Sequence, residues 1–225
     1  MIPIYVYYHI AQMGNWKEVV VEQTTRLRKS GLYNETSKIL TGVVGTQEPI
    51  RNLPEKFKIL FHNPDLIPGE IPTLEALRQH ALKENFLVLY IHTKGVSWKD
   101  HKKAYNKEAM TAWRKYLEYF CIDKWRECSA FLDEYDASGC ELVEKMNVLP
   151  EHFRGNFWWS KSSFLRTLPP VNNIVIPNHE VRRKAEFWLG SNPAFKPMSM
   201  FNLAGEYREK GTLYNHIIDP RLYTQ

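Results

Sequence analysis

The chain has 225 residues, 44% of them hydrophobic, and a formal net charge of +5. That length suits one domain with a substantial core, and no apolar run is long enough to cross a bilayer. Cys121, Cys128 and Cys140 are an odd set without metal-ligand spacing, which argues for reduced thiols over disulfides or zinc.

Ile2–His9 is apolar, aromatic and β-branched, and predicts the first strand. It starts without a basic segment or a small-residue cleavage site, so a cytoplasmic location is expected. Gly14-Asn15 opens a helix: Asn15 is placed to cap it, Trp16, Val20 and Leu27 share a face, and Gly31 suits its end. Lys38–Gly45 predicts a second strand ending in Gly42-Val43-Val44-Gly45, and Phe57–Phe61 a short third. Asn63-Pro-Asp-Leu-Ile-Pro-Gly69 is turn chemistry. Thr73 is placed to cap a helix that turns Leu74, Leu77 and Ala81 inward. Phe86–Ile91 is an unbroken apolar run, the mark of a strand covered on both faces. Strands alternating with helices predict a doubly wound α/β sheet.

The second half is less regular. Lys102–Phe120 predicts a helix with Ala109, Trp113, Leu117 and Phe120 inward, and Trp125–Tyr135 another. Cys140–Met146 reads as a strand. Ser162–Leu168 reads as a helix stopped by Pro169-Pro170. Arg182–Leu189 predicts a helix with Ala185, Trp188 and Leu189 inward, and Leu213–Ile218 a last strand.

The positive charge is uneven. Residues 94–126 hold nine Lys or Arg against four Asp or Glu, and the rest of the chain balances at 21 each. An anionic partner of this segment could be nucleic acid, a membrane surface or a phosphorylated small molecule; a solvated helix face is the plain alternative.

The central strand ends in His92-Thr93-Lys94-Gly95. Ligands of open α/β sheets sit beyond the carboxyl ends of the strands, so this turn is the first candidate site. His92 and Lys94 alternate with Thr93 and could face one side, where imidazole and ammonium would neutralise a diphosphate without a metal. The first strand-to-helix turn, Tyr8-His9-Ile10-Ala11-Gln12-Met13-Gly14, lacks Gly-x-Gly-x-x-Gly, and the P-loop pattern is absent from the chain. That turn could still seat a nucleotide with Tyr8 stacked on the base. Gly155-Asn156 beside Phe157-Trp158-Trp159 has the makings of a carbohydrate-binding wall, although at least one of these aromatics must turn into the core. Glu186 either pairs with Arg182 or Arg183 on its own helix or serves as a general base. His152 and His179 are rival bases or structural histidines.

Taken in order, the Asn15-Trp16 helix, His92-Thr93-Lys94-Gly95, Trp113-Arg114, His152-Phe-Arg-Gly-Asn-Phe-Trp-Trp159 and Arg182-x-x-x-Glu186-x-Trp188-Leu189 resemble a known group. They resemble the short GT-A-type glycosyltransferases of large algal viruses and of bacterial rhamnan and other polysaccharide loci. The resemblance runs from about Tyr8 to Leu189. It implies a GT-A-like, Rossmann-related sheet, mixed and mostly parallel, in one domain whose first hundred residues bind the donor and whose remainder binds the acceptor. It implies a nucleotide-diphosphate sugar as donor, a UDP-sugar first among them, a saccharide acceptor, and no nucleic acid. The chain could be one part of a larger multi-domain glycosyltransferase. On this reading Tyr8, His9, Gln12, Gly42, Gly45, His92, Thr93, Lys94 and Gly95 are expected to bind the donor, and His152, Gly155, Asn156 and Trp158 the acceptor. Glu186, Lys94 and His92 carry the chemistry. Many GT-A enzymes place Asp-x-Asp after this strand to hold Mn²⁺ or Mg²⁺; here His92-Thr93-Lys94 replaces it, and a lysine repels such an ion. No metal ligand is assigned at the turn; Mn²⁺ or Mg²⁺ stays open as a cofactor, with Asp65 and Asp100 as the nearest carboxylates that could supply a ligand. Two other readings remain open: a nucleic-acid-binding module using residues 94–126, and an inactive sugar-binding scaffold.

Overall fold

The computed structural model describes residues 2–46, 50, 53–97, 106–146, 149–175, 181–209 and 211–224, the side chains of 182 and 208 excepted. In the first half, strand β1 (Ile4–Gln12) leads into helix α1 (Trp16–Lys29). A short helix α2 (Leu32–Glu35), strands β2 (Thr36–Gly45) and β3 (Phe57–Asn63), helix α3 (Ile71–Ala81) and strand β4 (Leu87–His92) follow. These are the alternating elements that the hydrophobic pattern predicts. The second half adds α4 (Lys107–Glu118), a π turn over Tyr119–Asp123, α5 (Trp125–Ala130), β5 (Ala137–Gly139), β6 (Leu142–Val143), β7 (His152–Phe153), β8 (Trp158–Lys161), α6 (Ser162–Leu165), α7 (Lys184–Phe187) and β9 (Pro197–Ser199).

Seven strands form one sheet in the order β3-β2-β1-β4-β8-β5-β9, while β6 and β7 pair apart from it. β8 runs antiparallel to both of its neighbours, and every other pairing in the sheet is parallel. The fold is therefore mixed α/β, with a mostly parallel central sheet flanked by helices and compatible with a Rossmann-like arrangement. Alternate residues of the strands feed two cores. Val6, Tyr8, Ile10, Leu89, Ile91 and Trp159 pack with α1, α4 and α5, whereas Tyr5, Tyr7, Val88, Tyr90 and Trp158 pack with α3, α6 and α7. Among the described residues, no helix is long and apolar enough to cross a membrane.

Several expected details change. Asn15 precedes α1, but its side chain makes no cap and its amide donates to Glu18 instead. Gly31 does take the left-handed conformation after α1, at φ +79°. Thr73 lies inside the first turn of α3, where its hydroxyl meets His9. The predicted strand Leu213–Ile218 is absent: Thr212–Tyr214 is a 3₁₀ turn, and Tyr214 packs edge-on against Trp113. Arg182–Leu189 breaks into short helical pieces, of which α7 is four residues long. Cys140 falls between β5 and β6, and all three cysteines are buried free thiols.

Gly42 is a packing glycine within β2, not part of a turn that holds a nucleotide. A Cβ there would lie 2.1 Å from Thr73 Oγ1 and 2.6 Å from the Phe61 ring. Gly42→Ala must push α3 off the sheet or displace Phe61, so it should lower stability by roughly 1–3 kcal/mol. A fall in the urea midpoint at unchanged slope is the expected reading; an unchanged midpoint contradicts the packing argument.

Candidate active site

The chain passes from β1 to β2 on one side of β1 and later returns to β4 on the other. The crevice between the carboxyl ends of β1 and β4 is thus the topological switch point of the sheet, where ligands of open α/β folds bind. His9 and His92 are register partners across that crevice. The backbone N–H of Thr93 donates to the His9 carbonyl at 3.0 Å, and Thr93 Oγ1 accepts from Ala11 N at 2.9 Å. Thr93 is buried and ties the end of β4 to β1, so it is not free to hold a donor.

Lys94 follows in a turn that Gly95 permits at φ +88°. Its Nζ lies 3.5 Å from the centre of the Trp113 ring. Burial pulls its pKa from 10.5 down to about 8, against the opposing pull of Glu186 and Glu70. His92 Nε2 lies 2.9 Å from the Gly155 carbonyl, which can only accept, so Nε2 carries the proton and Nδ1 keeps its lone pair. Burial and the neighbouring Lys94 charge push His92 down to about 3. His9, whose Nδ1 meets Thr73 Oγ1 at 2.8 Å, is pushed down to about 4, chiefly by burial. Both imidazoles are neutral at pH 7, and the expected cationic pair is a single cation.

The carboxylates around Lys94 come from other parts of the chain. Glu70, which precedes α3, accepts at Oε2 from Tyr90 Oη (2.8 Å) and from Asn156 Nδ2 (2.7 Å). Burial raises its pKa, opposed by His9, Tyr90, Asn156 and Lys94. Sequence reasoning missed Glu70. It sits in a Pro-Gly turn, and its partners lie 20 and 86 residues away, so no local spacing points to it. Glu186, on α7, faces the backbone N–H of Gly155 at 3.4 Å and acts electrostatically on Lys94, His92 and His152. Of its expected partners along the helix, Arg182 has a side chain outside those described.

Gly155 and Asn156 turn toward this crevice with left-handed backbones at φ +96° and +57°. For asparagine that conformation is uncommon and concentrates at functional sites. Asn156 Oδ1 also accepts from Trp158 Nε1 at 2.8 Å, so both ends of its amide are engaged by protein. Trp158 is not an exposed wall: it is 1% accessible and stacks on Tyr90 at 5.0 Å. Asn156 and Trp158 therefore support Glu70 and Tyr90, and a direct hold on sugar is not their part. His152 is likewise buried, its Nδ1 donating to the Pro150 carbonyl and its ring edge-on to Phe187, on the flank of Glu186.

Tyr8 points into the opposite core and donates to Gln23, whose amide in turn donates to the His92 carbonyl at 3.1 Å and to Glu118 at 2.9 Å. Base stacking by Tyr8 is thereby ruled out; it props the end of β4 from beneath. Gln12 lies at the end of β1, its Oε1 facing His62 Nε2 at 3.0 Å and Thr46 Oγ1 at 3.3 Å. Gly45 ends β2 at φ +116° against Gln12. His62 is an exposed neighbour that sequence reasoning did not single out.

Of the basic residues in 94–126, Lys99, Lys102 and Lys103 fall outside the described residues, and Lys107, Lys115 and Arg126 are exposed. Arg114 pairs with Glu118 and Glu22, Lys124 with Glu127, and Arg126 stacks on Trp125. Asp65 lies on an exposed turn and accepts from Ile67 N. Asp100 and His179 fall outside the described residues. Among those described, no three His, Cys, Asp or Glu side chains converge as a metal site.

What the described residues offer in the crevice is one ammonium, two carboxylates and the neutral imidazole of His92, with His9 buried behind them. Lone pairs that accept from hydroxyls outnumber fixed positive charge, a balance suited to a polyhydroxylated ligand. No profile of a known protein family matches the chain, and no characterised protein matches its sequence significantly.

Proposed function

We propose that the protein is a GT-A-type glycosyltransferase that moves a sugar from a nucleotide-diphosphate donor to a saccharide acceptor. The observation that carries this reading is the convergence of Lys94, His92, Glu70 and Glu186 at the switch point of a mixed, mostly parallel sheet. The nucleoside lies across the ends of β1 and β2, near Gln12, Gly45 and His62. The diphosphate meets Lys94 as its counter-charge, and the transferred sugar meets His92 and Glu70, while buried His9 supports the crevice from behind.

In the transfer, the bond between the anomeric carbon and the phosphate oxygen breaks, and its electron pair leaves with the nucleoside diphosphate. The acceptor oxygen forms the new bond to that carbon. With inversion, Glu186 takes the acceptor proton; with retention, the departing phosphate takes it and Glu186 orients the substrate. Lys94 opposes the charge that develops on the leaving group, the kind of electrostatic stabilisation that commonly dominates catalysis. The described residues do not build a metal cage, and no step here runs through a metal.

A thermal-shift series with nucleotide sugars, each with and without Mn²⁺, tests the reading. A ligand that binds only the folded state raises its melting temperature, so one donor should give a shift that its free sugar does not. No shift with any nucleotide-diphosphate sugar, alongside steeply salt-dependent binding of an oligonucleotide, would reverse the conclusion.

A further inference from the structure

Away from the crevice, a groove of about 500 Å³ runs between α3 and the β2–β3 edge of the sheet. Its floor is apolar: Tyr7, Leu40 and Phe61, of which the first two are almost wholly recessed. Its rim carries Lys38 from β2, Lys58 from β3 and Lys83 just beyond α3, and among the described residues no carboxylate lines it. Among the described residues, neither Lys58 nor Lys83 has an acidic partner. Lys38 is steadied over the Tyr5 ring at 5.3 Å. Glu84, which feels Lys38, pairs with His80.

We propose that this groove binds a small amphiphilic anion, an alkyl or isoprenoid chain bearing a phosphate. The proposal is independent of the glycosyltransferase reading. Binding pockets for small molecules are typically concave, largely apolar and of this volume, with a few polar groups that fix orientation. Three lysines from three elements around one apolar slot select an anionic head. They would repel a cationic amphiphile and gain nothing from a neutral one. The lysine ammonium suits phosphate as a point charge. The recessed floor favours an inserted chain over a flat bilayer, because Tyr7 and Leu40 lie below the rim. Each methylene wholly removed from water on that floor should tighten binding by at most about fourfold.

Titration calorimetry with octyl phosphate, below its micelle concentration, provides the test. Octyl phosphate should bind at least tenfold more tightly than octyl tetraethylene glycol or inorganic phosphate. Lys58→Ala combined with Lys83→Ala should remove that preference, while Lys94→Met should leave it intact. Both lysines are exposed, so the double variant should fold normally, which circular dichroism checks. Four results would each overturn the proposal: equal binding of the neutral amphiphile, full binding by inorganic phosphate alone, loss of binding in Lys94→Met, or tighter binding of an acidic peptide such as (Glu-Leu)₄.

Discussion

Lys94→Met should lower glycosyl transfer about 10²–10³-fold, the range found when a single oxyanion-hole donor is removed, and leave the melting temperature unchanged or slightly raised. The two effects separate because the charge is held for use at a cost to the fold. Its pKa lies at about 8 rather than 10.5, so burial outweighs the attraction of Glu186 and Glu70. Methionine keeps the stem that covers Trp113 and removes the unfavourable charge. The wild-type rate should fall above about pH 8 as Lys94 loses its proton. Lys94→Arg, which stays protonated, should lose that alkaline limb even where its maximal rate is lower. Wild-type turnover in Lys94→Met, or an alkaline limb that survives in Lys94→Arg, would remove Lys94 from the mechanism.

The second large effect is acid lability. His9 and His92 are held at about 4 and about 3, well below the 6.5 of an unfolded histidine, and His152 is displaced in the same direction. As pH falls below 6.5, the unfolded chain takes up protons that the folded chain refuses. Stability is therefore intact above 6.5 and is lost progressively toward pH 4–3. Each unit of separation is worth about 1.4 kcal/mol. Buried His9 alone accounts for roughly 3 kcal/mol, and half-buried His92 for less than its larger displacement suggests, because solvent screens it. Glu70, displaced upward, works in the opposite sense and offsets part of the loss. Against a total of about 5–15 kcal/mol, the histidines should dominate unfolding near pH 4.5. Urea midpoints should fall steeply from pH 6.5 to 4.5. His92→Gln, whose amide can replace the Nε2 donor, should flatten that slope; an equally steep slope in the variant would show that the proton goes elsewhere.

The parallel half of the sheet was legible because its signal is local. Phe86–Ile91 is apolar throughout, α1 and α3 carry one inward stripe each, and Gly31 marks a helix end. The same property hid which way the side chains point. A strand covered on both faces has no polar side to betray its orientation, so Tyr8 looked as available as His9 although the two project into opposite cores. Trp158 and Trp159 repeat the lesson: adjacent indoles on β8 enter different cores and neither is exposed. His92, Lys94, Gly155 and Glu186 were legible as candidates and do converge. Glu70 was not, because a carboxylate in a turn acquires its role only from Tyr90 and Asn156, which tertiary folding alone brings to it. The irregular C-terminal region failed for a related reason. The apolar residues of Leu213–Ile218 serve packing against α4, and a short apolar run does not say whether it pairs or merely packs.

The lone reversed strand has a consequence for how the molecule could be divided. β8 borders β4 directly, and the tight turn that feeds it delivers Gly155 and Asn156 to groups contributed by the first hundred residues. The two segments are interleaved at the seam where the reaction is proposed to occur. A break engineered after residue 97 would separate His92 from the carbonyl that fixes its tautomer and Glu70 from the amide that orients it, so catalytic competence would have to be rebuilt by reassociation rather than inherited by either piece.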